Sequence, residues 1–249
     1  MSGALPADGD LGAWLAGLRP GMPEFAATAR AAVFLLARHQ RQRETFYADL
    51  CEALLPAGLP IGSVVDLGCG AGNLAFELAQ RTGAPVTGLD SDPWLVRWGE
   101  RVAYGGTFPF PVRLDAAHFG VATMENEPSA ESVRFVLGDL HRPPFVEGAF
   151  GLACLVNVLD SLPDPAAALE QAATLVRPGG WLLFASPDSW HLSATPRDRW
   201  RITPGDWDAL FASAGLETVR CADDLEWRLK DTGRLHHLYR VHGRLLRKG

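Results

Sequence analysis

Three apolar runs in this 249-residue chain end at an aspartate, and closely spaced glycines follow the first run. The runs read VVD, VTGLD and RFVLGD, their acids are Asp66, Asp90 and Asp139, and the glycines are Gly68, Gly70 and Gly72. A carboxylate can accept hydrogen bonds from paired ribose hydroxyls. Glycine allows the backbone to approach a ligand where a side chain would collide with it. These residues therefore predict a site for a nucleotide or a nucleotide-like cofactor.

The spacing of the glycines separates the candidate cofactors. The dinucleotide fingerprint G-x-G-x-x-G would need glycine at position 73, where this chain has Asn73. No lysine followed by serine or threonine comes after the loop, as a phosphate-binding P-loop would require. A nicotinamide-dependent oxidoreductase is therefore the weaker alternative.

The elements that must position these residues follow from the periodicity of the sequence. Strands are predicted at residues 63–67, 85–89, 133–137, 152–156, 180–186 and 216–219, and helices at 73–81, 93–104, 165–176 and 204–214. This alternation favours an α/β, doubly wound, mostly parallel seven-stranded sheet, which binds ligands at the carboxyl ends of its strands. The segment HHLYRVHGRLL predicts a terminal strand that returns antiparallel at an edge of the sheet.

Two segments lie outside this alternation. Apolar residues recur at helical spacing before the first strand, so residues 1–60 are expected to form an N-terminal helical extension and residues 61–249 the main domain. Residues 105–132 are an insertion that is longer than a simple connection needs. The insertion is either an extra hairpin or surface loop, or a lid.

The composition limits the partners. A net charge of -6 and a pI of about 5.6 give no general attraction to nucleic acid or to anionic membranes, so we expect neither as a partner. We expect a small-molecule substrate, and the sequence leaves both a monomer and a homodimer open. The N-terminus lacks the basic and apolar regions of a signal peptide, which indicates a cytoplasmic protein. The four cysteines show no paired spacing, and His236, His237 and His242 would alternate between the faces of a strand, so no metal is expected.

The motifs VVDLGCGAG, VTGLD and RFVLGD, followed by NVLDSLPDPAAALEQAATLVRPGGWLLFASP, resemble the class I S-adenosylmethionine-dependent methyltransferases. The resemblance covers roughly residues 61–187 and implies S-adenosylmethionine as the cofactor. It implies that Gly68, Gly70 and Gly72 approach the amino acid portion of the cofactor. It also implies that Asp66 holds the cofactor ammonium, directly or through water.

The same resemblance assigns the nucleoside end of the cofactor. Asp90 would bind the ribose, Asp139 would bind the adenine amine, and Leu140 would pack against the adenine ring. Gly151 departs from the family, in which an aspartate is often found at this position.

Catalytic candidates follow the predicted strands at 152–156 and 180–186. Asn157 and Asp160 come just after the first of these strands and are expected to face the methyl group, with helix capping or turn formation as the alternative. His191 lies on the loop after the second strand. We expect these residues to position or deprotonate the acceptor.

Substrate-binding candidates share the same edge of the sheet. The loop SPDSWHLSATPRDRW supplies Trp190, Arg197 and Trp200, and the terminal strand supplies Tyr239. For the tryptophans the alternative is a hydrophobic plug over the core.

The second half of the chain is similar to the mercaptohistidine N-methyltransferase domain of ovothiol biosynthesis, on the segments LVRPGGWLLFASPDSW, TPRDRW and DLEWRLKDTGRLHHLYRVHGRLL. This similarity implies an imidazole or amine acceptor. The expected function is therefore transfer of a methyl group from S-adenosylmethionine to a heteroatom of a small metabolite, with nitrogen favoured. The alternatives are a small-molecule O-methyltransferase and a noncatalytic cofactor-binding partner subunit, which would expose an apolar face on the helices of residues 24–55.

Overall fold

A computed structural model describes residues 5–40, 45–129, 131–201 and 203–249 of the chain. The helices are α1 Leu11–Gly17, α2 Pro23–His39, α3 Phe46–Leu54, α4 Asn73–Thr82, α5 Pro93–Tyr104, α6 Pro165–Leu175 and α7 Pro204–Ser213. The strands are β1 Val64–Leu67, β2 Val86–Asp90, β3 Gly106–Arg113, β4 Phe119–Asn126, β5 Val133–Leu137, β6 Phe150–Val156, β7 Val176–Ser186, β8 Leu216–Lys230 and β9 His236–Lys248.

Seven of these strands form one sheet in the order β5-β2-β1-β6-β7-β9-β8. The strands β5, β2, β1, β6 and β7 run parallel, whereas β9 is antiparallel to both of its neighbours. The predicted doubly wound, mostly parallel α/β sheet is confirmed. The strand order reverses between β1 and β6, and such a reversal opens a crevice for ligands at the carboxyl edge of the sheet.

The last two strands differ from the prediction. The strand predicted at 216–219 is only the start of the long strand β8, and β9 lies between β7 and β8, so the expectation that the terminal strand forms the edge was wrong. The physical reason is burial. Leu245 and Leu246 of β9 are fully buried, whereas β8 is largely exposed and carries charged side chains, which suit an edge strand.

Part of the β8–β9 hairpin extends beyond the carboxyl edge of the parallel strands. Ser186, the last residue of β7, pairs with His242, so residues 236–241 continue past the end of β7. The end of β8 accompanies them, because Lys230 pairs with His236.

The insertion at residues 105–132 contains an antiparallel hairpin. Strands β3 and β4 pair with each other in a separate two-stranded sheet. Phe108, Phe110 and Met124 are buried there, and the Phe119 ring packs on Phe25 of α2 with 4.9 Å between the ring centroids. The segment thus forms a hairpin, and its role as a lid stays a prediction.

The N-terminal helices share one hydrophobic core with the sheet. Leu35 of α2 and Leu50 and Leu54 of α3 are fully buried in the same cluster as Val64 of β1. Within the described residues between 24 and 55, no large apolar side chain is exposed. The apolar face expected of a noncatalytic partner subunit is therefore not found on the described parts of α2 and α3.

Gly151 has a steric explanation. A Cβ atom at this position would lie 1.5 Å from the backbone oxygen of Ile61. The Gly151 N–H also donates to the carbonyl of Ser63 at 2.9 Å, which fixes the close approach. Any side chain here, including the aspartate common in the resembled family, would collide with the segment that enters β1.

Helices α6 and α7 contribute to a second cluster on the other face of the sheet, where Phe184 packs with Trp207 and Phe211. Within the described ranges, no helix is both long enough and apolar enough to cross a membrane.

Candidate active site

The turn after β1 folds against the end of β2. The backbone N–H groups of Gly68 and Cys69 both donate to the carbonyl of Leu89, at 2.8 and 3.0 Å. The Gly70 N–H then donates to Asp90 Oδ2 at 2.8 Å. The structure thus brings the glycine loop, Asp66 and Asp90 together at the carboxyl edge, as the sequence predicts.

Asp66 is a buried carboxylate whose charge is not compensated by a cationic partner in the described contacts. Asp66 is 2% exposed, and its Oδ2 atom has no hydrogen-bond partner. Burial, together with a smaller contribution from the charge of Asp90, raises the pKa of Asp66 to about 7, although a hydrogen bond from the Ala75 backbone opposes the rise. A buried oxygen of this kind normally has a partner, and a ligand ammonium would supply both a hydrogen bond and a positive charge.

Asp90 is held by the backbone on both sides. Its Oδ1 accepts from the Asp92 N–H at 2.9 Å, and its Oδ2 accepts from Gly70. Burial raises the pKa of Asp90, and these two backbone hydrogen bonds oppose that rise. The role of Asp90 toward a ribose stays a prediction, although its position at the end of β2 is the expected one.

The three loop glycines have different surroundings. A Cβ at Gly68 would lie 2.4 Å from Val158 Cγ2, and one at Gly72 would lie 2.5 Å from the Phe135 ring, so both glycines are required by internal packing. At Gly70 the nearest atoms belong to the Phe34 ring of α2, 3.8 Å away. Gly70 therefore presents the most open backbone in the loop, and α2 passes over it.

Asp139 is exposed, whereas Asp66 is buried and Asp90 is partly buried. Its side chain is 63% exposed and accepts from the backbone N–H of His141 at 2.9 Å, which is the main reason that its pKa is lowered. The backbone of the preceding residue remains near the site, because the Gly138 N–H donates to the carbonyl of Asp90 at 3.0 Å. Leu140 is buried in the cluster of the α6 face. The adenine roles of Asp139 and Leu140 stay predictions.

Asn157 lies directly after β6 in an unusual conformation. Its φ is 54°, and its N–H donates to the carbonyl of Ala185 at 2.8 Å. Both polar atoms of its side chain, Oδ1 and Nδ2, are buried without a hydrogen-bond partner. A group from outside the chain could therefore form hydrogen bonds with the side chain of this predicted catalytic residue.

Asp160 anchors the loop that follows β7. The residue is 3% exposed, and its Oδ2 accepts from the Ser189 N–H at 2.9 Å. Burial raises its pKa, and the nearby charge of Asp188 adds to the rise. Its contacts favour a positioning role, and its predicted catalytic role is untested.

The tryptophans of the same loop form a stack with α7. The Trp190 ring lies 6.3 Å from Trp200 and 6.0 Å from Trp207, nearly parallel to both. The indole N–H groups of Trp190 and Trp200 donate to the carbonyls of Arg201 and Thr195. This geometry favours a hydrophobic plug over the core, rather than a substrate contact, as the role of Trp190 and Trp200.

The other predicted residues lie apart from this stack or at its margin. His191 and Arg197 are exposed, and the Arg197 guanidinium lies 5.9 Å from the Trp200 ring centroid. Tyr239 lies on the extension of β9 beyond the edge, with its ring 5.1 Å from Trp227. Their roles toward the acceptor stay predictions.

Sequence reasoning missed the pairing of Asp188 with His242. His242 Nε2 lies 3.1 Å from Asp188 Oδ2, although the two residues are far apart in the chain. The motif SPDSW contains Asp188, but no pattern in the sequence marks this residue or indicates a carboxylate partner for His242. Among the described residues, no group of His, Cys, Asp and Glu side chains has a metal-binding arrangement.

A cavity of about 780 Å³ lies beside this edge, between α2, α3, α4 and β4. Its described lining includes Tyr47, Asn73, Met124 and Trp227, but neither Asp66 nor any residue of the β6 and β7 ends. None of the predicted catalytic residues Asn157, Asp160 and His191 lines this cavity.

Comparisons with known proteins agree with this architecture. Residues 38–233 match the family described as Methyltransferase domain. Ubiquinone biosynthesis O-methyltransferases are 36% identical over 123 residues in Ralstonia nicotianae and 32% identical over 124 residues in Colwellia psychrerythraea. The matched segment spans 49% of this chain but only 42% and 41% of those relatives.

Solved structures show the same fold at low identity. A methyltransferase from Aquifex aeolicus superposes with a TM-score of 0.55 at 14% identity, covering 87% of this chain and 97% of that chain. The methyltransferase in a complex with the Haloferax volcanii Trm112 activator gives 0.56 at 22% identity, covering 79% and 78%. The similarity to the mercaptohistidine N-methyltransferase domain stays a prediction. With its family match, its sheet order and its glycine loop, this chain belongs to the methyltransferase domain family, whose cofactor is S-adenosylmethionine.

Proposed function

We propose that this chain is an S-adenosylmethionine-dependent methyltransferase that methylates an oxygen atom of a small molecule. The observation that carries the proposal is the partnerless oxygen of the buried Asp66, beneath the glycine loop and beside Asp90. An amino acid ammonium would satisfy this oxygen and would favour the ionised carboxylate. The residues present therefore fit the methionine end of the cofactor.

The remaining contacts support alignment as the main source of catalysis. The bound cofactor would supply an electrophilic methyl group. Gly70 would leave room for the cofactor, Asp90 would hold its ribose, and Phe34 of α2 would cover the loop and exclude water. We propose that the N-terminal extension of residues 1–60 acts as this cover.

The choice between oxygen and nitrogen depends on the proton of the acceptor. A neutral amine or imidazole is already nucleophilic, whereas a hydroxyl group must lose a proton. Asp160 and Asp188, in the segments that follow β6 and β7, lie close enough for their charges to interact, and the matched relatives are named O-methyltransferases. These observations support oxygen over the nitrogen that the sequence favoured.

Calorimetry tests the cofactor site. S-adenosylhomocysteine and S-adenosylmethionine are titrated into the wild type, into Asp66→Asn and into Asp115→Asn, an exposed aspartate of the insertion hairpin that serves as the control. We expect binding to the wild type, an affinity loss of about tenfold or more in Asp66→Asn because a charge-assisted hydrogen bond is lost, and no change in the control. Absence of binding to the wild type would overturn the proposal.

A labelled-methyl screen tests the reaction. Phenols, catechols, amines and imidazoles are offered as acceptors, and the products are identified by mass spectrometry. We expect methyl ethers. Products methylated only on nitrogen would overturn the oxygen preference, and cofactor binding without turnover of any acceptor would favour the noncatalytic partner subunit. Light scattering in the same preparations separates a monomer from a homodimer.

A further inference from the structure

The ends of β6 and β7 hold two polar residues in backbone conformations that side chains rarely adopt. Asn157 has a φ of 54° and Asp188 has a φ of 51°. Within the described residues, Asp224 is the one other non-glycine residue with a positive φ. Such conformations cost free energy and persist where the surroundings enforce them, and they cluster at functional sites.

The same two residues carry buried polar atoms without partners. These atoms are Oδ1 and Nδ2 of Asn157 and Oδ1 of Asp188. Asn157 directly follows β6 and Asp188 lies two residues after β7, and these two strands are neighbours because Val156 pairs with Ala185 in the sheet. Buried polar atoms normally have partners, so this place calls for an outside group that can both donate and accept a hydrogen bond. A hydroxyl group has both capacities.

Asp188 is fixed in a way that leaves one oxygen for such a group. Its Oδ2 faces His242 Nε2 at 3.1 Å and the Trp207 indole N–H at 3.5 Å. The His242 ring is packed by Phe184 and Trp207, with centroids 5.5 and 6.0 Å away. The loop itself is anchored next to Asp188, where the Ser189 N–H donates to Asp160. Oδ1 is therefore the oxygen that remains for a ligand.

We propose that Asp188 is the catalytic carboxylate that binds the acceptor hydroxyl and takes its proton, that Asn157 holds the same hydroxyl, and that His242 is the positioning residue for Asp188. This inference rests on the proposed function and deepens it, because it assigns the acceptor to the class of alcohols and phenols. The O–H bond of the acceptor breaks, and its proton forms a bond to Asp188 Oδ1. The electron pair left on the oxygen forms the new bond to the methyl carbon. The bond between the methyl carbon and the cofactor sulfur breaks, and its electron pair stays on the sulfur.

Kinetics with acceptors of different acidity test the carboxylate. The variants are Asp188→Asn and His242→Gln, and the control is Asp198→Asn, an exposed aspartate of the same loop. The acceptors are a phenol that is turned over in the screen and its more acidic nitro-substituted analogue. We expect Asp188→Asn to lower kcat by about 10²- to 10⁴-fold on the phenol and clearly less on the nitrophenol, because an acidic hydroxyl depends less on a base.

His242→Gln should give a smaller loss with the same dependence on acidity, and Asp198→Asn should match the wild type. Affinity for S-adenosylhomocysteine should stay within about twofold in all variants, since none of them touches the cofactor loop. Unchanged kcat in Asp188→Asn, or equal losses on both phenols, would overturn the assignment.

A second readout needs no acceptor. Nitrogen-15 NMR of the His242 ring, assigned with His242→Gln, should show the tautomer that carries its proton on Nε2, and Asp188→Asn should alter that signal. A ring protonated only on Nδ1, or one that does not respond to Asp188→Asn, would overturn the pairing. Failure of the wild type to bind the cofactor would instead refute the proposed function, so the two failures are distinguishable.

Discussion

Arg113 at the end of β3 donates to both carboxylate oxygens of Asp231, in the turn after β8, at 3.0 Å each. The two residues belong to different hairpins and are far apart in the chain. Their ion pair joins the insertion hairpin to the part of the β8–β9 hairpin that passes the carboxyl edge. With side chains only 24% and 10% exposed, the pair is shielded from solvent more than a surface pair would be.

A double-mutant cycle should reveal the strength of this link. Arg113→Met alone leaves the Asp231 carboxylate buried without its main partner, so it should cost more stability than Arg113→Met and Asp231→Asn together. We expect a coupling free energy of about 1 to 3 kcal/mol in urea unfolding. The Arg199–Asp164 pair, which is 43% and 37% exposed, is the control and should couple by less than about 1 kcal/mol. Equal coupling in both pairs would contradict a structural link between the hairpins.

The second prediction concerns Asp66 and the pH dependence of stability without cofactor. The pKa of Asp66 is raised in the folded protein from 3.8 to about 7, so folding favours the protonated carboxyl group. The stabilisation is therefore fully present below about pH 3.8 and is lost as the pH rises toward 7. The asparagine side chain in Asp66→Asn cannot ionise, so the stability of this variant does not fall in the same way as the pH rises.

Asp66→Asn should accordingly be more stable than the wild type at pH 8, by about 1 to 4 kcal/mol, and the difference should shrink as the pH falls toward 5. Urea unfolding at several pH values measures it. Added S-adenosylmethionine should stabilise the wild type more than the variant at the same concentration. A stability difference that does not vary with pH would show that the Asp66 side chain titrates normally.

The third prediction separates two glycines of the cofactor loop. Gly68→Ala would place its Cβ against Val158 at a φ of 75° and should lower stability by about 2 to 4 kcal/mol. Val158→Ala in the same chain removes the nearest methyl group and should restore part of that loss. Gly70→Ala, with nothing closer than 3.8 Å, should cost only about 1 kcal/mol but should weaken cofactor binding more strongly than its stability loss suggests. If Gly70→Ala binds the cofactor normally, the ligand does not approach that backbone.

The placement of Asp66, Asp90 and the loop glycines at the carboxyl edge could be predicted from the sequence because the signals are local. Asp66 and Asp90 end short apolar runs, and the glycines follow at once, so periodicity and turn chemistry suffice to place them. The insertion hairpin gave a weaker signal, since Pro109 and Pro111 lie within β3. Proline is uncommon inside sheets, and here it is accommodated because β3 pairs on one side only, with β4.

The pairing of Asp188 with His242 could not be predicted, because it depends on contacts between distant segments. Asp188 meets His242 only because β9 inserts next to β7, and the order of the last two strands is set by burial of the whole hairpin rather than by either strand alone. In the same way, the surroundings of Trp190 depend on Trp207, which α7 supplies from another part of the chain. The alternation of apolar and polar residues predicts which face of a strand is buried, but it does not predict which strands lie beside it.

The last prediction distinguishes a plug from a substrate contact at Trp190. Its ring is stacked between Trp200 and Trp207, and its indole N–H donates to the Arg201 carbonyl at 3.0 Å. Trp190→Ala should therefore lower the free energy of unfolding by about 2 to 3 kcal/mol, while KM for the acceptor changes by less than about threefold at a temperature where the variant is folded. Leu192→Ala, at a 70% exposed position of the same loop, is the control and should stay within about 0.5 kcal/mol of the wild type. A large rise in KM with little loss of stability would assign Trp190 to the acceptor site. Removal of a ring that contacts the acceptor would weaken acceptor binding but would leave the free energy of unfolding almost unchanged.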